Sequence, residues 1–138
     1  MTITIDNYTV RTMAFFKDKT KVSPINCIIT KTTLIFIVDK GTIKKAIGRG
    51  AVNIKSLRHA FKKDIKVFER AENIDELVKN FIYPINLNST KLYRRVLSIL
   101  LSEPEDRGRL LGNGQKTIRQ LKEVLKIYHP DIRDVQLL

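Results

Sequence analysis

The sequence has little of several residue types, and each shortage excludes a class of protein. Its 138 residues include a single cysteine, Cys27, which excludes an intrachain disulfide and a multi-cysteine zinc site. The longest apolar run, Leu34 to Val38, is far shorter than the ~20 residues that span a bilayer. The first residues lack the basic and apolar regions of a signal peptide. We therefore expect a cytoplasmic protein in a reducing setting.

Acidic residues are also scarce relative to basic ones. The chain has 26 Lys and Arg against 14 Asp and Glu, which gives a formal net charge of +12. The excess is concentrated in residues 1–70, which carry +10, whereas residues 71–138 carry +2. A basic field of this size attracts polyanions through steering and counterion release, so the charge favours nucleic acid as a partner. The positive charge, taken by itself, is also explained by a solvated lysine-rich surface that binds no nucleic acid.

Hydrophobic periodicity predicts similar elements in both halves of the chain. In the first half it predicts a helix over 6–17, strands over 25–29 and 34–38, a helix over 51–63 and a strand over 65–68. In the second half it predicts a helix over 73–82, a strand over 96–101, a helix that opens at a glycine turn over 112–115 and ends near residue 128, and a strand over 135–137. Asn73 and Glu76 resemble a capping box at the start of their helix. The polar residues 87–91 are predicted to form a linker.

A repeat relates the two halves. Residues 47–58, IGRGAVNIKSLR, align with residues 111–122, LGNGQKTIRQLK, and both glycines, an isoleucine and a leucine are identical. In each copy a Gly-x-Gly turn precedes a helix with a basic stripe. A helix N-terminus presents unpaired N–H groups that favour a phosphate, and glycines let a sugar-phosphate backbone approach closely. One such turn is weak evidence, but two copies in the same frame indicate nucleic-acid binding.

The pattern aliphatic-Gly-x-x-(small)-x-x-Ile-(basic) between two helices resembles the KH domain, a single-stranded nucleic-acid binder whose loop clamps about four nucleotides. The order of elements around the first copy is similar to the type II, prokaryotic arrangement. Two such modules in a short chain resemble the archaeal NusA-like transcription factors. The resemblance implies an α/β (α+β) fold with two tandem type II KH domains. The first, with an N-terminal helix, is expected over residues 1–86 and the second over residues 87–138.

The resemblance and the basic stripes together give a set of candidate RNA-binding residues. They are Lys44, Lys45, Gly48, Arg49, Gly50, Ala51, Lys55 and Arg58 in the first module, and Arg109, Gly112, Asn113, Gly114, Gln115, Arg119 and Lys122 in the second. KH loops normally end in glycine, where this chain has Ala51 and Gln115. Either replacement favours a helix, since glycine is about 1 kcal/mol worse than alanine inside one. Because Gln115 is bulky and Asn113 is neutral, we expect the first module to dominate the affinity.

The function that the resemblance implies is single-stranded RNA binding in transcription termination or antitermination, without catalysis. The expected partners of this monomer are single-stranded RNA and the transcription elongation complex, with no membrane. No cofactor or metal is expected, because a P-loop is absent and neither His59 nor His129 has a cysteine nearby. Two alternatives stay open. One is a KH protein that binds RNA in ribosome assembly, and the other is a protein-interaction scaffold whose degenerate loops no longer bind RNA.

Overall fold

The chain forms two compact units. The computed structural model describes residues 7–138, apart from the side chain of Asn113. Unit 1 is Met1–Arg70 and unit 2 is Ala71–Leu138. This division coincides with the change in charge along the sequence, so that unit 1 carries most of the positive charge.

Unit 1 contains three helices and a three-stranded sheet. Its elements are α1 (Asn7–Thr20), β1 (Asn26–Ile29), β2 (Thr33–Val38), α2 (Ile43–Ile47), α3 (Val52–Phe61) and β3 (Asp64–Glu69), with a short 3-10 turn (Arg49–Ala51) between α2 and α3. The strand order is β1-β2-β3, with β1 antiparallel and β3 parallel to β2. The predicted helices and strands of this half are all present. Asp6, where the first helix was predicted to begin, lies outside the described residues.

The core of unit 1 lies between the sheet and its helices. All six residues of β2 are buried, as the continuous apolar run predicts for a strand covered on both faces. The rings of Phe16 in α1 and Phe36 in β2 stack with their centroids 4.2 Å apart. Leu57 of α3 packs in the same cluster. Cys27 is also buried here, and burial raises the pKa of its thiol to about 12, so the thiol stays protonated.

Unit 2 repeats the arrangement of unit 1. Its elements are α4 (Ile74–Ile82), β4 (Leu87–Tyr93), β5 (Val96–Leu101), α5 (Asp106–Tyr128) and β6 (Asp134–Leu137). The strand order is β4-β5-β6, again with one antiparallel and one parallel pair. Unit 1 has the order helix-strand-strand-helix-helix-strand, and unit 2 has the same order with α5 in the place of α2 and α3. This is the arrangement of two type II KH modules, which confirms the fold class. Among residues 7–138, no helix is long and apolar enough to cross a membrane.

The structure differs from the expected domain boundary. The boundary expected from the sequence lies between residues 86 and 87, whereas the compact units divide between Arg70 and Ala71. Helix α4 lies between these two positions and packs against β4 and α5. It therefore opens unit 2, as α1 opens unit 1.

Two predictions for the second half are wrong. Residues 87–91 form part of β4 rather than a linker, because an edge strand pairs on one side only and tolerates the polar residues Asn88 and Ser89. The last helix begins at Asp106 rather than at the glycine turn, because the residues before the turn, which correspond to α2, are helical too. Hydrophobicity alone detects neither feature.

The packing of α1 on the sheet can be tested by truncating Phe16, which is fully buried. The change Phe16→Ala removes a stacked ring from a closed core, so we expect a loss of about 3–5 kcal/mol in the free energy of unfolding. Urea denaturation followed by circular dichroism measures it. The control Val10→Ala, on an exposed position of the same helix, should change stability by less than about 0.5 kcal/mol. Equal effects of the two changes would show that α1 is not part of the core.

Candidate nucleic-acid interface

The first glycine turn joins two helices that contribute basic side chains. Helix α2 ends at Ile47 and is capped by Gly48, whose N–H donates to the carbonyl of Lys44 at 3.0 Å. The N–H of Ala51 then donates to the carbonyl of Gly48 at 3.1 Å, which closes the 3-10 turn. Helix α3 follows at once. Hydrogen bonds of the backbone therefore fix the path of the turn without any help from a ligand.

Gly48 is required by the backbone. Its φ is +81°, a conformation that other residues rarely adopt. A Cβ at this position would lie 2.9 Å from Nδ2 of Asn53 and 3.0 Å from Cγ1 of Val52. The amide of Asn53 cannot simply move aside, because its Nδ2 donates to the carbonyl of Lys45 at 3.2 Å. Gly48 and Asn53 together hold α2 against the start of α3.

The two turns share an unusual backbone conformation. Gly50 and Ala51 have φ values of +62° and +60°, and Gly114 and Gln115, at the matching positions of the repeat, have +64° and +62°. The first glycines of the copies differ, since Gly112 does not share the positive φ of Gly48 and a Cβ there would meet no atom within 4 Å. The repeat seen in the sequence is therefore also a repeat of backbone geometry.

This conformation corrects one expectation about the departures from glycine. Ala51 is the N-cap of α3 in the left-handed region, and Gln115 has the same φ inside α5. Left-handed φ costs a residue with a Cβ about 1–2 kcal/mol relative to glycine. Ala51 and Gln115 therefore do not stabilise a helix at these positions, and both turns keep a strained residue where glycine would be relaxed.

The N-terminus of α3 has no side-chain cap. The N-cap residue Ala51 has no side-chain oxygen that could accept a hydrogen bond from the first turn. Helix α4 is the opposite case, because Oδ1 of Asn73 accepts from the N–H of Glu76 at 2.8 Å, as predicted. The Glu76 carboxylate accepts from the N–H of Glu72. At α3, by contrast, no N-cap side chain caps the first turn, which lies beside the glycine turn, and the N–H of Val52 donates to the carbonyl of Arg49 instead.

Four cations around the first turn are exposed and, among residues 7–138, are not paired with a carboxylate. Lys44 and Lys45 lie on α2, Arg49 in the turn and Lys55 on α3, and all four are exposed. Within the described part of the chain, none of these four forms an ion pair. Arg58, further along α3, is 4.0 Å from Asp64. The first turn therefore presents a concentrated positive charge to solvent.

The second turn lies among cations that are partly neutralised. Lys122 Nζ is 2.8 Å from the carboxylate of Asp134, and its hydrogen bond lowers the pKa of that carboxyl below the ordinary value. Arg109 pairs with Asp106 at 3.6 Å. The guanidinium of Arg119 lies 3.7 Å from where a Cβ of Gly114 would be, so this side chain covers the turn. The side chain of Asn113 lies outside the described residues.

Sequence reasoning missed a carboxylate that positions the first turn. Oε2 of Glu69, at the end of β3, accepts from the N–H of Gly41 at 2.6 Å and of Ile43 at 3.3 Å. These are backbone groups at the start of α2. Glu69 lies more than twenty residues further along the chain, so only its pairing in the sheet reveals this role.

The strained turn can be tested by replacing alanine with glycine at two positions, where the change should affect stability in opposite directions. We expect Ala51→Gly to raise the free energy of unfolding by about 1 kcal/mol, because glycine relieves the left-handed φ. The control Ala60→Gly, on an exposed helical position of α3, should lower it by about 1 kcal/mol. Urea denaturation of both variants measures the difference. A destabilising Ala51→Gly would show that the residue is helical in solution.

Comparisons with known proteins agree with this geometry. The profile of the KH domain matches residues 10–97, which is well over half of the chain. A solved structure, "Crystal structure of APE1850", superposes with a TM-score of 0.83 at 28% identity, covering 97% of this chain and 100% of that chain.

Several archaeal proteins are similar along most of the sequence. A protein of Methanocaldococcus jannaschii named "Probable transcription termination protein NusA" is 23% identical, with 91% of this chain and 70% of that protein covered. Proteins of the same name from Halococcus morrhuae and Halobacterium salinarum are 22% and 24% identical, with 99% of each chain covered. The matched family and the two repeated units lead to the same result: the chain belongs to the KH domain family and is similar to the NusA-like proteins of archaea.

Proposed function

We propose that this protein binds single-stranded RNA through its two glycine turns and acts in transcription as a binding factor without catalysis. The observation that carries the proposal is the left-handed pair at Gly50–Ala51 and Gly114–Gln115, each at the start of a basic helical segment. A glycine turn ahead of a helical segment brings a ligand close to the positive end of the helix dipole, which favours a phosphate. RNA binding is also the general activity of KH domains.

The first turn can receive a phosphate without rearrangement. Gly50 has open space where a Cβ would lie, so a sugar-phosphate backbone can approach the turn closely. The exposed Arg49 and Lys55 flank the turn and are free to pair with phosphates on either side. Each pairing releases counterions from the RNA, which makes the binding favourable and dependent on salt.

The specific role in transcription is the finer part of the proposal. Similar archaeal proteins carry the name of a transcription termination protein, and we extend that role to this chain. On this proposal the protein binds nascent RNA at the transcription elongation complex and affects termination or antitermination. Crosslinking in cells, followed by sequencing of the bound RNA, tests the role: nascent transcripts support it, whereas ribosomal RNA precursors would indicate ribosome assembly instead.

The turn itself is tested by placing a charge at Gly50. Gly48 has no room for a side chain, whereas a Cβ at Gly50 would meet no atom within 4 Å. Gly50 is therefore the better position for a substitution, and Asp and Asn are the residues that best tolerate its left-handed φ. We expect Gly50→Asp to weaken binding of single-stranded RNA at least tenfold, about 1.4 kcal/mol, because a carboxylate then occupies the phosphate position. Fluorescence anisotropy with a labelled oligonucleotide measures the affinity.

A matched control separates charge from shape. Gly50→Asn has nearly the same size and also tolerates left-handed φ, but it is neutral. We expect it to weaken binding much less than Gly50→Asp, while both variants keep the native circular dichroism spectrum. If the two variants bind RNA as tightly as the unchanged protein, the turn is not the clamp, and the scaffold alternative is favoured.

The two modules are expected to contribute unequally. For single strands, each neutralised phosphate steepens the dependence of log affinity on log salt concentration by about 0.7. Replacing Arg49 and Lys55 by alanine should therefore flatten the slope by about 1 to 1.5. Replacing Arg119 and Lys122 should flatten it less, because Lys122 is already neutralised by Asp134.

A salt titration of both double variants against one RNA decides the ranking. Circular dichroism of each variant controls for loss of structure. An equal or larger change from the second pair would mean that Gln115 is no obstacle and that the second turn contributes as much as the first.

A further inference from the structure

The sheet of unit 2 has an open face that the glycine turns do not use. Along β5, Leu97 and Ile99 point into the core, whereas the alternating residues Val96 and Ser98 point the other way. The register places Lys91 of β4 beside Ser98. A groove of about 540 Å³ runs over this face and is lined by Lys91, Tyr93, Arg94, Arg133 and Gln136, together with Val96 and Ser98.

An exposed aromatic ring borders this groove. Tyr93, the last residue of β4, is 65% exposed and is paired with Val96 in the sheet. The guanidinium of Arg94 lies over the ring, 5.3 Å from its centroid. Single-stranded RNA binders often place an accessible ring next to cations. The base of a nucleotide stacks on the ring, and its phosphate pairs with a cation.

The turn between β4 and β5 places two arginines in the left-handed conformation, which is strained for residues with a Cβ. Arg94 and Arg95 have φ values of +48° and +67°, which two-residue hairpins normally meet with Asn-Gly or Gly-Gly. Arg95 has a structural role, because its Nε donates to the carbonyl of Asp131 at 2.8 Å. Arg94 has no such role: within the described part of the chain, its side chain contacts the ring of Tyr93 and forms no ion pair. A strained conformation at Arg94 that no structural contact explains indicates a function for this residue.

The charge of the groove indicates what occupies it. Lys91, Arg94 and Arg133 are exposed cations from three segments that converge on this face. The nearby carboxylate of Asp134 is engaged by Lys122 and opposes an anion less than a free carboxylate would. The groove therefore suits a ligand with a flat aromatic group and several negative charges.

We infer that the open face of the second sheet is a further contact for single-stranded RNA, at which a nucleobase stacks on Tyr93 and neighbouring phosphates pair with Lys91, Arg94 and Arg133. The inference rests on the proposed RNA binding and adds to it a contact outside the glycine turns. It predicts that a long RNA, which extends beyond the glycine turns, binds more tightly than a short RNA that fills only one turn.

The first experiment truncates the ring. The RNA is an oligouridylate longer than the stretch of about four nucleotides that each turn holds. With this RNA, Tyr93→Ala should weaken binding about fivefold or more. Tyr93→Phe keeps the ring and should restore most of the affinity. The control Tyr8→Ala removes another exposed tyrosine, 51% accessible, from α1 and should leave the affinity unchanged.

The second experiment uses the strained turn. Arg94→Gly relieves the positive φ and should raise the midpoint of urea unfolding, yet it should weaken RNA binding and flatten the salt slope by about 0.7. A gain in stability with unchanged RNA affinity would overturn the inference, since Arg94 would then not bind RNA. Because this variant folds better, a failure to fold cannot explain a loss of binding.

The outcomes separate this inference from the proposed function. If the unchanged protein binds no single-stranded RNA, the proposed function fails and the inference with it. If it binds, and Tyr93→Ala and Arg94→Gly bind the long RNA equally well, only the inference fails. Binding of a polyglutamate peptide that Tyr93→Ala abolishes, with RNA binding intact, would instead assign the groove to an acidic protein partner. Photocrosslinking of 5-bromouridine RNA to Tyr93, mapped by mass spectrometry, gives direct support.

Discussion

The left-handed backbone of the glycine turns is the constraint on which the rest of the structure depends. In unit 1 the chain must leave α2, reverse at Gly48 and enter α3 within a few residues, and Asn53 closes this path by binding the carbonyl of Lys45. The packing of α2 and α3 on the sheet then fixes where the turn lies. Glu69 adds a connection from β3 to the start of α2. Core, sheet and turn are therefore one mechanical unit.

Charge distinguishes the two modules more than their backbones do. Both have the same strand order and the same pair of left-handed residues. In unit 2, however, Arg109 and Lys122 lie against Asp106 and Asp134, so part of the positive charge is compensated inside the module. Two modules with one backbone can differ in this way, because surface charges change at little cost to stability whereas the turn geometry is fixed by packing.

The sequence predicts strongly periodic elements well and edge or strained elements poorly. The apolar run of β2 and the capping residue Asn73 are confirmed because each depends on local composition. Strand β4 was missed because an edge strand needs few apolar residues. The left-handed φ of Ala51 was missed because propensity favours alanine in helices, and only the tertiary path of the chain overrides that preference. Contacts between distant residues, such as Glu69 with Gly41, leave no local signal.

The buried cysteine has a practical consequence for following motion in this protein. Cys27 lies in β1, it is the only thiol in the chain, and its raised pKa keeps it protonated in the folded state. Electrophilic reagents, which react with thiolates, therefore modify it only when the first sheet opens. Since residues 71–138 contain no cysteine, the rate of alkylation measures the opening of unit 1 and does not depend directly on the opening of unit 2. A natural chain thus carries a built-in reporter that distinguishes its two halves.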